Sequence, residues 1–302
     1  MRLAVAASPE VAIPTLELLL EQGFDLRAVI TQPDRPSGRG LSVKESPVSK
    51  WAAMHQLPVH KPVSQEELAL CVKEFDLVIT IGFGLLIKEE VLNIPKYGFI
   101  NLHFSLLPSW RGAAPVQRSI EAGDKQTGVT VFKLDKGMDT GPIYRQQKIE
   151  IPNGVTTPKL LTELALIGAP LVLDTISAIK ANEPPTPQSD NGASKAEKLS
   201  KDEGRINWHE SADAIDRKIR AFFPSPGTWT TFRSEPIKLE KVSISTQSLL
   251  QPAQIYVINK QLFVGTGTTA IVLEEVRPSG KASMSAQSWA NGARISENES
   301  FE

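Results

Sequence analysis

Asn101 and His103 are two residues of this chain whose types and spacing suit chemistry on a bound molecule. They lie two positions apart where the apolar run 99–102 ends, so on a strand both side chains point to the same face. Open α/β sheets bind ligands at the carboxyl ends of their parallel strands. The pair predicts a pocket in which an amide and an imidazole donate hydrogen bonds or exchange protons. A histidine in such a position is also commonly a structural hydrogen-bonding residue.

A third polar group, Asp139, follows another apolar run, 129–134. It lies between Gly137 and Gly141, a pattern that is also typical of a simple type I or type II turn. At the rim of the same pocket, its carboxylate would join the amide and the imidazole as an acid, a base and an oxyanion-stabilising group. The set contains no nucleophilic serine or cysteine, which favours transfer between two bound substrates over a covalent intermediate.

The elements that must position these residues alternate between short apolar runs and amphipathic runs up to about residue 181. This alternation is typical of βα units around a mostly parallel sheet. Ser8 with Pro9, and Thr157 with Pro158, combine a capping side chain with a proline, which predicts that a helix begins at each pair. The predicted strands are residues 3–7, 26–31, 77–81, 99–102 and 129–134.

The chain changes character after the predicted α/β region. Residues 182–194 contain three prolines, one glycine and no large apolar residue, which predicts an exposed, extended linker. Short β-type runs follow one helical segment and predict a small barrel or sandwich. We therefore expect a catalytic domain at 1–181, a linker at 182–204 and a small β-barrel domain at 205–302. The acidic end, 296–302, is expected to fray.

The charge of the chain is nearly balanced but unevenly distributed. Its 302 residues include 33 basic and 34 acidic ones, and the net charge of −1 excludes a uniformly basic nucleic-acid-binding protein. Residues 205–296, however, contain 11 basic and seven acidic residues. A basic cluster near the predicted linker favours phosphate contact, although a solvated helical face would carry the same charges. Its members are Lys195, Lys198, Lys201, Arg205, Arg217, Lys218 and Arg220.

Two features bear on the cellular compartment. Cys71 is the only cysteine, so the chain forms no internal disulfide, which fits a reducing compartment. The apolar run that follows Met1 is too short for a signal peptide or a membrane span. We therefore expect a cytoplasmic protein without a membrane partner.

The glycine-rich segments do not match a dinucleotide-binding site. Gly82 and Gly84 lack the third glycine of that fingerprint, since Ile87 stands in its place. The segment 265–270 matches G-x-G-x-x-A, but β-type runs flank it on both sides, so we expect a hairpin turn. These patterns speak against a nicotinamide-dependent oxidoreductase. The sequence also contains no P-loop, HExxH or paired-cysteine motif, so no metal is expected.

Longer stretches of the chain resemble a known family. The run HFSLLPSWRGAAPVQRSI, with GVTVFKLDKGMDTGPI downstream, resembles the formyltransferases that use 10-formyltetrahydrofolate. Three further stretches are similar to the branch of that family that formylates methionyl-tRNA: ASPEVAIPTLELL, TQPDRPSGRG followed by SPVSKWA, and KLSKDEGRINWHESADAIDRKIRAFFPSPGTW. The resemblance covers nearly the whole chain in the same order.

This resemblance implies a fold, a reaction and a set of site residues. The fold is a Rossmann-like, mostly parallel sheet followed by an OB-like β-barrel. The reaction is formyl transfer from 10-formyltetrahydrofolate, the cosubstrate, to the amino group of methionyl initiator tRNA, by a monomer that uses no metal. The implied catalytic residues are Asn101, His103 and Asp139, and the implied folate-binding residues are Ile81, Gly82, Phe83, Gly84, Leu85, Leu86, Ser105, Leu106, Leu107 and Pro108.

The expected tRNA contacts come from two parts of the chain. By resemblance, Arg39 approaches the acceptor end of the tRNA. Relatives commonly carry a lysine doublet directly after G-R-G, whereas this chain has Leu41 and Ser42 there and its next lysine is Lys44. Lys44 is therefore expected to act with Arg39. From the basic cluster, the expected contacts are Lys198, Arg205 and Lys218.

Two other functions share some of these features. A sugar-nucleotide N-formyltransferase uses the same formyl donor and the same three polar residues, but the G-R-G loop and KLSKDEGRINW weigh against it. A noncatalytic RNA-binding protein on the same scaffold is expected to have lost one of the three, and all three are present in this chain.

Overall fold

A computed structural model describes residues 1–37, 42–247, 251–296 and 299–302. Arg39, one of the expected tRNA contacts, lies outside the described residues. The chain divides into two compact units. The first comprises Met1–Pro115, Gln126–Glu150 and Leu161–Ala196, and the second comprises Val116–Lys125, Ile151–Leu160 and Glu197–Glu302.

The secondary structure alternates between strands and helices in its first half and is mostly β in its second half. The strands are β1 Leu3–Ala7, β2 Leu26–Ile30, β3 Arg35–Ser37, β4 Ser42–Lys44, β5 Val59–His60, β6 Leu77–Ile81, β7 Phe99–His103, β8 Arg111–Gly112, β9 Gln126–Lys133, β10 Ile143–Glu150, β11 Lys195–Ala196, β12 Thr228–Phe232, β13 Glu235–Ile244, β14 Ile255–Ile258, β15 Gln261–Val264, β16 Ile271–Pro278 and β17 Met284–Ser285. The helices are α1 Ile13–Glu21, α2 Pro47–Met54, α3 Gln65–Val72, α4 Glu89–Leu92, α5 Pro115–Ala122, α6 Thr157–Lys180, α7 Ala212–Phe222 and α8 Ala286–Ala293.

The first unit is built on one sheet with the strand order β10-β9-β7-β6-β1-β2-β5. Strands β7, β6, β1, β2 and β5 are parallel, and β9 pairs antiparallel with both β7 and β10. Every residue of β1 and β6 is buried, as expected for parallel strands that are covered on both faces. The predicted α/β class is therefore confirmed.

One predicted helix start is wrong and the other is correct. Ser8 caps no helix, because its hydroxyl accepts a hydrogen bond from the Gln32 N–H at 3.1 Å. A short 3-10 helix, Glu10–Ala12, instead precedes α1. Helix α6 does begin at Thr157, whose hydroxyl donates to the Ala221 carbonyl at 2.7 Å.

The second unit contains an antiparallel sheet with the order β12-β13-β16-β15-β14, and β17 pairs with β16. The expectation for this part of the chain was a small OB-like β-barrel; its antiparallel β character is confirmed. Residues 265–270 join the antiparallel strands β15 and β16, so the predicted hairpin turn is also confirmed. Helix α7 is capped by Ser211, whose hydroxyl accepts from the Ala214 N–H at 3.2 Å.

The described end of the acidic C-terminus, residues 299–302, does not fray, while residues 297 and 298 lie outside the described residues. Phe301 is only 4% exposed. Its ring stacks on Trp208 and Trp289, with centroids 5.3 and 5.8 Å away. The Glu302 N–H donates to the Thr231 carbonyl at 2.9 Å. Burial of one aromatic side chain thus outweighs the acidic composition that suggested a free end.

The segment predicted as a linker is exposed for most of its length but hydrogen-bonded to its surroundings. Thr186 forms a backbone bridge with Ile143. Strand β11 pairs in parallel with β8. We call residues 186–196 the strap, because the segment pairs with Ile143 at one end and with Arg111–Gly112 at the other.

Helix α6 is long and apolar enough to cross a membrane by length and composition. Half of its most apolar 18-residue window is buried. Core helices of water-soluble proteins meet the same criterion, so this helix is weak evidence for a membrane span.

Candidate active site

A cavity of about 520 Å³ lies against the face of the sheet that carries Asn101 and His103. Its size is in the range of small-molecule sites, which is roughly 300–1,000 Å³. The walls are mainly apolar, and the polar side chains that line it are few. The lining residues used below are Thr80, Gly82, Phe83, Gly84, Leu85, Leu86, Asn101, His103, Gly112 and Asp139.

Asn101 is oriented by its neighbour on the adjacent strand. Thr80 pairs with Asn101 across β6 and β7, and its hydroxyl donates to Asn101 Oδ1 at 2.8 Å. Thr80 is 3% exposed, so this contact is shielded from water. Because Oδ1 is held by Thr80, Nδ2 is the amide atom that can donate to a group in the cavity.

His103 has its two ring nitrogens in different surroundings. Nε2 lies 2.9 Å from the Trp110 carbonyl oxygen. Since a carbonyl only accepts, Nε2 carries the hydrogen, and Nδ1 is the nitrogen that gains or loses a proton. Nδ1 lies 3.8 Å from Asp139 Oδ2. The expected pairing of imidazole and carboxylate is thus present in one cavity.

Burial decides the charge of His103. The residue is 5% exposed, and this burial lowers its pKa below the ordinary value, while the Asp139 carboxylate and the Trp110 carbonyl oppose the shift. The ring is therefore neutral at pH 7, with Nδ1 as a proton acceptor. It becomes a donor at Nδ1 only after it has taken a proton.

The Asp139 carboxylate and the turn that carries it are each held by hydrogen bonds. Oδ2 accepts a hydrogen bond from the Gly112 N–H at 2.7 Å. The backbone of Asp139 has φ +55°, a left-handed conformation that is uncommon for a residue other than glycine. Asp135 closes the turn before it, because its Oδ1 accepts from the Gly137 N–H at 2.9 Å and from the Thr140 hydroxyl at 2.8 Å.

The predicted folate residues after β6 form one wall of the cavity. Gly82 and Gly84 have φ +56° and +68°, and a Cβ atom on Gly82 would lie 2.8 Å from Pro9 Cγ. Glycine is therefore required at Gly82 both by the backbone and by the space. The Gln32 side chain fixes this loop by donating to the Phe83 carbonyl at 2.7 Å. Leu86 is 67% exposed and Leu85 is 39% exposed.

The other predicted folate residues do not line the cavity. Ile81 is fully buried in β6. Ser105 and Leu107 are buried, and Thr130 joins them, because its hydroxyl donates to the Ser105 carbonyl at 2.6 Å and accepts from the Leu107 N–H at 3.1 Å. The run 105–108 is therefore anchored to Thr130, which pairs with His103 across β7 and β9, and its contact with folate stays a prediction.

The predicted tRNA residues lie in both units. Lys44 is exposed in the first. In the second, Lys198 and Arg205 are exposed, and Lys218 Nζ lies 3.3 Å from the Arg205 carbonyl. Other members of the basic cluster make internal contacts: Arg217 donates to the Glu121 carbonyl at 3.1 Å, and Arg220 pairs with Asp216 at 2.8 Å.

Three residues of the site were not predicted from the sequence. Thr80 is a polar residue inside an apolar strand, a signal that could have identified it. Gly112 and Gln188 had no such signal, because their roles depend on backbone hydrogen bonds between distant segments.

Within the described ranges, no three His, Cys, Asp or Glu residues lie close enough together to hold a metal ion.

Comparison with known proteins identifies the family. Residues 1–172 match the formyl transferase family, and residues 198–294 match the formyl transferase C-terminal domain. The chain belongs to the formyl transferase family. Curated relatives of this formyl transferase include the methionyl-tRNA formyltransferases of Salinispora tropica, 40% identical with 99% of both chains covered, and of Thermobifida fusca, 42% identical with 100% of this chain and 99% of the relative covered. The family resemblance read from the motifs is confirmed.

Solved structures share the fold of this formyl transferase. HypX from Aquifex aeolicus in complex with tetrahydrofolic acid aligns with a TM-score of 0.70 at 15% identity, covering 99% of this chain and 48% of that one. An N-formyltransferase from Helicobacter canadensis, in complex with folinic acid and dTDP-3-aminofucose, aligns with a TM-score of 0.68 at 19% identity, covering 90% of this chain and 98% of that one. At these identities the likeness concerns the fold.

Proposed function

We propose that this formyl transferase moves the formyl group of 10-formyltetrahydrofolate to the free amino group of methionyl initiator tRNA. The product would be N-formylmethionyl-tRNA for translation initiation. The observation that carries the proposal is the placement of Asn101, His103 and Asp139 in one cavity. Relatives of 40–42% identity over the full length, named methionyl-tRNA formyltransferase, support the choice of acceptor.

The three side chains divide the chemistry between them. Asn101 Nδ2 donates a hydrogen bond to the formyl oxygen, which becomes negative when the amine nitrogen bonds to the formyl carbon. His103 Nδ1 accepts the proton that the amine loses, and the Asp139 carboxylate stabilises the imidazolium. His103 then returns this proton to N10 as the bond between N10 and the formyl carbon breaks and the C=O bond re-forms. The products are a formamide on methionine and tetrahydrofolate.

The folate would lie along the loop after β6. The backbone groups of Gly82 to Leu86 and the apolar walls around them suit a flat heterocycle that needs hydrogen bonds at its edge. The exposed side chains of Leu85 and Leu86 widen this apolar surface at the mouth of the cavity. The HypX neighbour, whose structure contains tetrahydrofolic acid, supports the donor class.

The tRNA would be held by basic residues outside the cavity. We propose phosphate contacts for Arg39, Lys44, Lys198, Arg205 and Lys218. The exposure of Lys44, Lys198 and Arg205 supports this assignment, because their charges are not used by buried ion pairs. Accordingly, residues 1–181 would form the catalytic domain, 182–204 the linker and 205–302 the tRNA-binding domain.

The setting of the reaction follows from its substrates. We propose a cytoplasmic enzyme, because the relatives of 40–42% identity are named as enzymes that act on methionyl-tRNA. We also propose that it acts as a monomer.

The experiment compares two acceptors with one donor. The protein is incubated with 10-formyltetrahydrofolate and either methionyl initiator tRNA or a dTDP-amino sugar, and formylated product is measured for each. We expect transfer to the tRNA alone. Asp139→Asn should reduce it by about 100- to 10,000-fold, whereas Asp174→Asn, an exposed position on α6, should leave it unchanged. Transfer to the sugar, or to neither acceptor, would refute the proposal.

A further inference from the structure

The side-chain amide of Gln188, in the strap, joins two segments of the site. Nε2 donates to the Asp139 carbonyl at 2.9 Å and to the Gly141 carbonyl at 2.7 Å. Oε1 accepts from Arg111 Nε at 3.1 Å and from Arg111 Nη2 at 2.9 Å. All four hydrogen-bonding positions of the amide are therefore used.

The two segments joined by Gln188 are also joined by the carboxylate that faces His103. Asp139 Oδ2 accepts from the N–H of Gly112, the residue after Arg111. Gln188 thus forms a second bridge beside the bond between Gly112 and Asp139. Because Asp139 has φ +55°, its backbone is held in a conformation that an L-residue rarely adopts. The two hydrogen bonds from Gln188 Nε2 stabilise the turn that contains Asp139.

The strap itself is fixed on the other side of Gln188. The Trp110 N–H donates to Ser194 Oγ at 2.9 Å. The Arg111 N–H donates to the Ser194 carbonyl at 2.8 Å, and the Ala113 N–H donates to the Ala196 carbonyl at 2.8 Å. Trp110 is also the residue whose carbonyl holds His103 Nε2. The strap is therefore bonded to the backbone supports of both His103 and Asp139.

We infer that Gln188 is a positioning residue that holds the Asp139 carboxylate at its working distance from His103. This inference rests on the proposed function, in which the pair of His103 and Asp139 transfers a proton. Gln188 touches neither substrate in this scheme and acts through Asp139. Displacement of a catalytic group by about 1 Å can cost on the order of 100-fold in rate, so loss of one of two bridges should lower kcat by about 10-fold.

The kinetic test uses two substitutions of Gln188 and one matched control. Gln188→Ala removes the hydrogen bonds of the amide to Asp139, Gly141 and Arg111, and Gln188→Glu keeps an acceptor for Arg111 but removes the donors to Asp139 and Gly141. We expect both variants to lose about 10-fold in kcat with KM changed less than about twofold. Ser189→Ala, the neighbouring strap position, should match the wild type. Melting temperatures establish that each variant is folded.

A double substitution separates positioning from general structural damage. In the Asp139→Asn background, where the carboxylate is already absent, Gln188→Ala should lower single-turnover formyl transfer less than twofold. The same 10-fold loss in both backgrounds would overturn the inference, as would wild-type kcat in Gln188→Glu. If Gln188→Ala does not fold, Gln188→Glu takes its place in the cycle.

A third readout does not depend on activity. The pKa of His103 is measured by NMR titration of its ring in the wild type, Gln188→Ala and Gln188→Glu. Asp139 opposes the lowering of this pKa, so displacement of the carboxylate should lower it further. An unchanged pKa in both variants would overturn the inference. A wild type that formylates no acceptor would refute the proposed function alone, because this titration would still report the position of Asp139.

Discussion

His103 Nδ1 lies 3.8 Å from Asp139 Oδ2. This separation is too long for a hydrogen bond. It is short enough for a strong charge interaction once the buried ring is protonated. The resting site therefore contains a neutral imidazole beside a carboxylate, and the pair is strengthened when a proton arrives at Nδ1. An arrangement of this kind suits a group that takes a proton during a reaction and gives it back.

The burial of His103 predicts a pH dependence of stability. The pKa of His103 is lowered in the folded protein from its ordinary value of 6.5. Below pH 6.5 the unfolded chain binds a proton that the folded protein does not, so the free energy of unfolding falls as the pH is lowered. One such proton contributes at most about 1.4 kcal/mol per pH unit.

The measurement is urea unfolding of the wild type and of His103→Gln between pH 7.5 and pH 5. We expect the stability of the wild type to fall more steeply below pH 6.5. Equal slopes for the two proteins would show that His103 is not held neutral by burial.

The Thr80 hydroxyl predicts a catalytic effect of a substitution outside the trio. Thr80→Val keeps the side-chain shape but removes the donor that orients Asn101. We expect kcat to fall by about 10-fold, less than the roughly 100-fold or larger loss when an oxyanion donor is removed outright. Initial-rate kinetics at saturating folate would measure the change.

Thr15→Val is the matched control for that substitution. Thr15 is also fully buried, and its hydroxyl has no hydrogen-bond partner among the described residues. Its replacement should leave kcat unchanged and raise the free energy of unfolding by about 1 kcal/mol. A loss of activity in Thr15→Val equal to that in Thr80→Val would remove the support for an orienting role of Thr80.

The close approach of the strap to Gly112 predicts that an added methyl group is not tolerated. Gly112 has φ +128°, and a Cβ atom there would lie 2.6 Å from the Ala196 carbonyl oxygen. Gly112→Ala should shift the N–H that binds Asp139 and cost about 1–3 kcal/mol in stability. It should also reduce formyl transfer at least about 10-fold.

Gly192→Ala provides the comparison within the strap. Gly192 also has a positive φ, of +79°, but nothing lies within 4 Å of its added Cβ. We expect a cost of about 1 kcal/mol from backbone strain and near wild-type transfer. Similar activity in the two variants would show that the contact between Gly112 and the strap is not required.

The stacked C-terminal ring predicts that the last two residues stabilise the second unit. Removal of Phe301 and Glu302 should lower the free energy of unfolding by about 3–5 kcal/mol, the usual range when a buried Phe is lost. Tryptophan fluorescence during urea unfolding would follow Trp208 and Trp289 directly. Val257→Ala, at a side chain that is 51% exposed, should change stability by less than about 0.5 kcal/mol. Equal stability of the truncated and full-length proteins would contradict the buried role of Phe301.

Much of the fold was predictable because its strands are continuous apolar runs. The predicted strands at 3–7 and 77–81 have the observed bounds, since both are buried on two faces. The predicted strand at 129–134 instead begins three residues earlier, at Gln126. Its first residue is exposed and polar, and pairing with Glu150 at the edge of the sheet places it in the strand. Apolarity gives no signal for such a residue.

The part of the site that was predictable is the part that depends on a single strand. The alternation that placed Asn101 and His103 on one face is a local property of the backbone. The supports of these residues depend on long-range hydrogen bonds, as in the bond from Gln188 to Asp139, which are 49 positions apart. Ser8 shows the same limit, because its expected capping role is replaced by a bond to Gln32. A single sequence does not state which distant segment supplies a partner.

The strap restricts where the chain can be divided, by evolution or by gene fusion, without loss of contacts at the candidate site. A catalytic module cut at the end of helix α6 would keep Asn101, His103 and Asp139 but lose the parallel pairing of Lys195–Ala196 with Arg111–Gly112. The shortest segment that keeps the whole candidate site therefore extends to Ala196. It includes residues 182–194, whose composition alone predicts an extended linker. An insertion placed after Ala196 would leave this pairing intact.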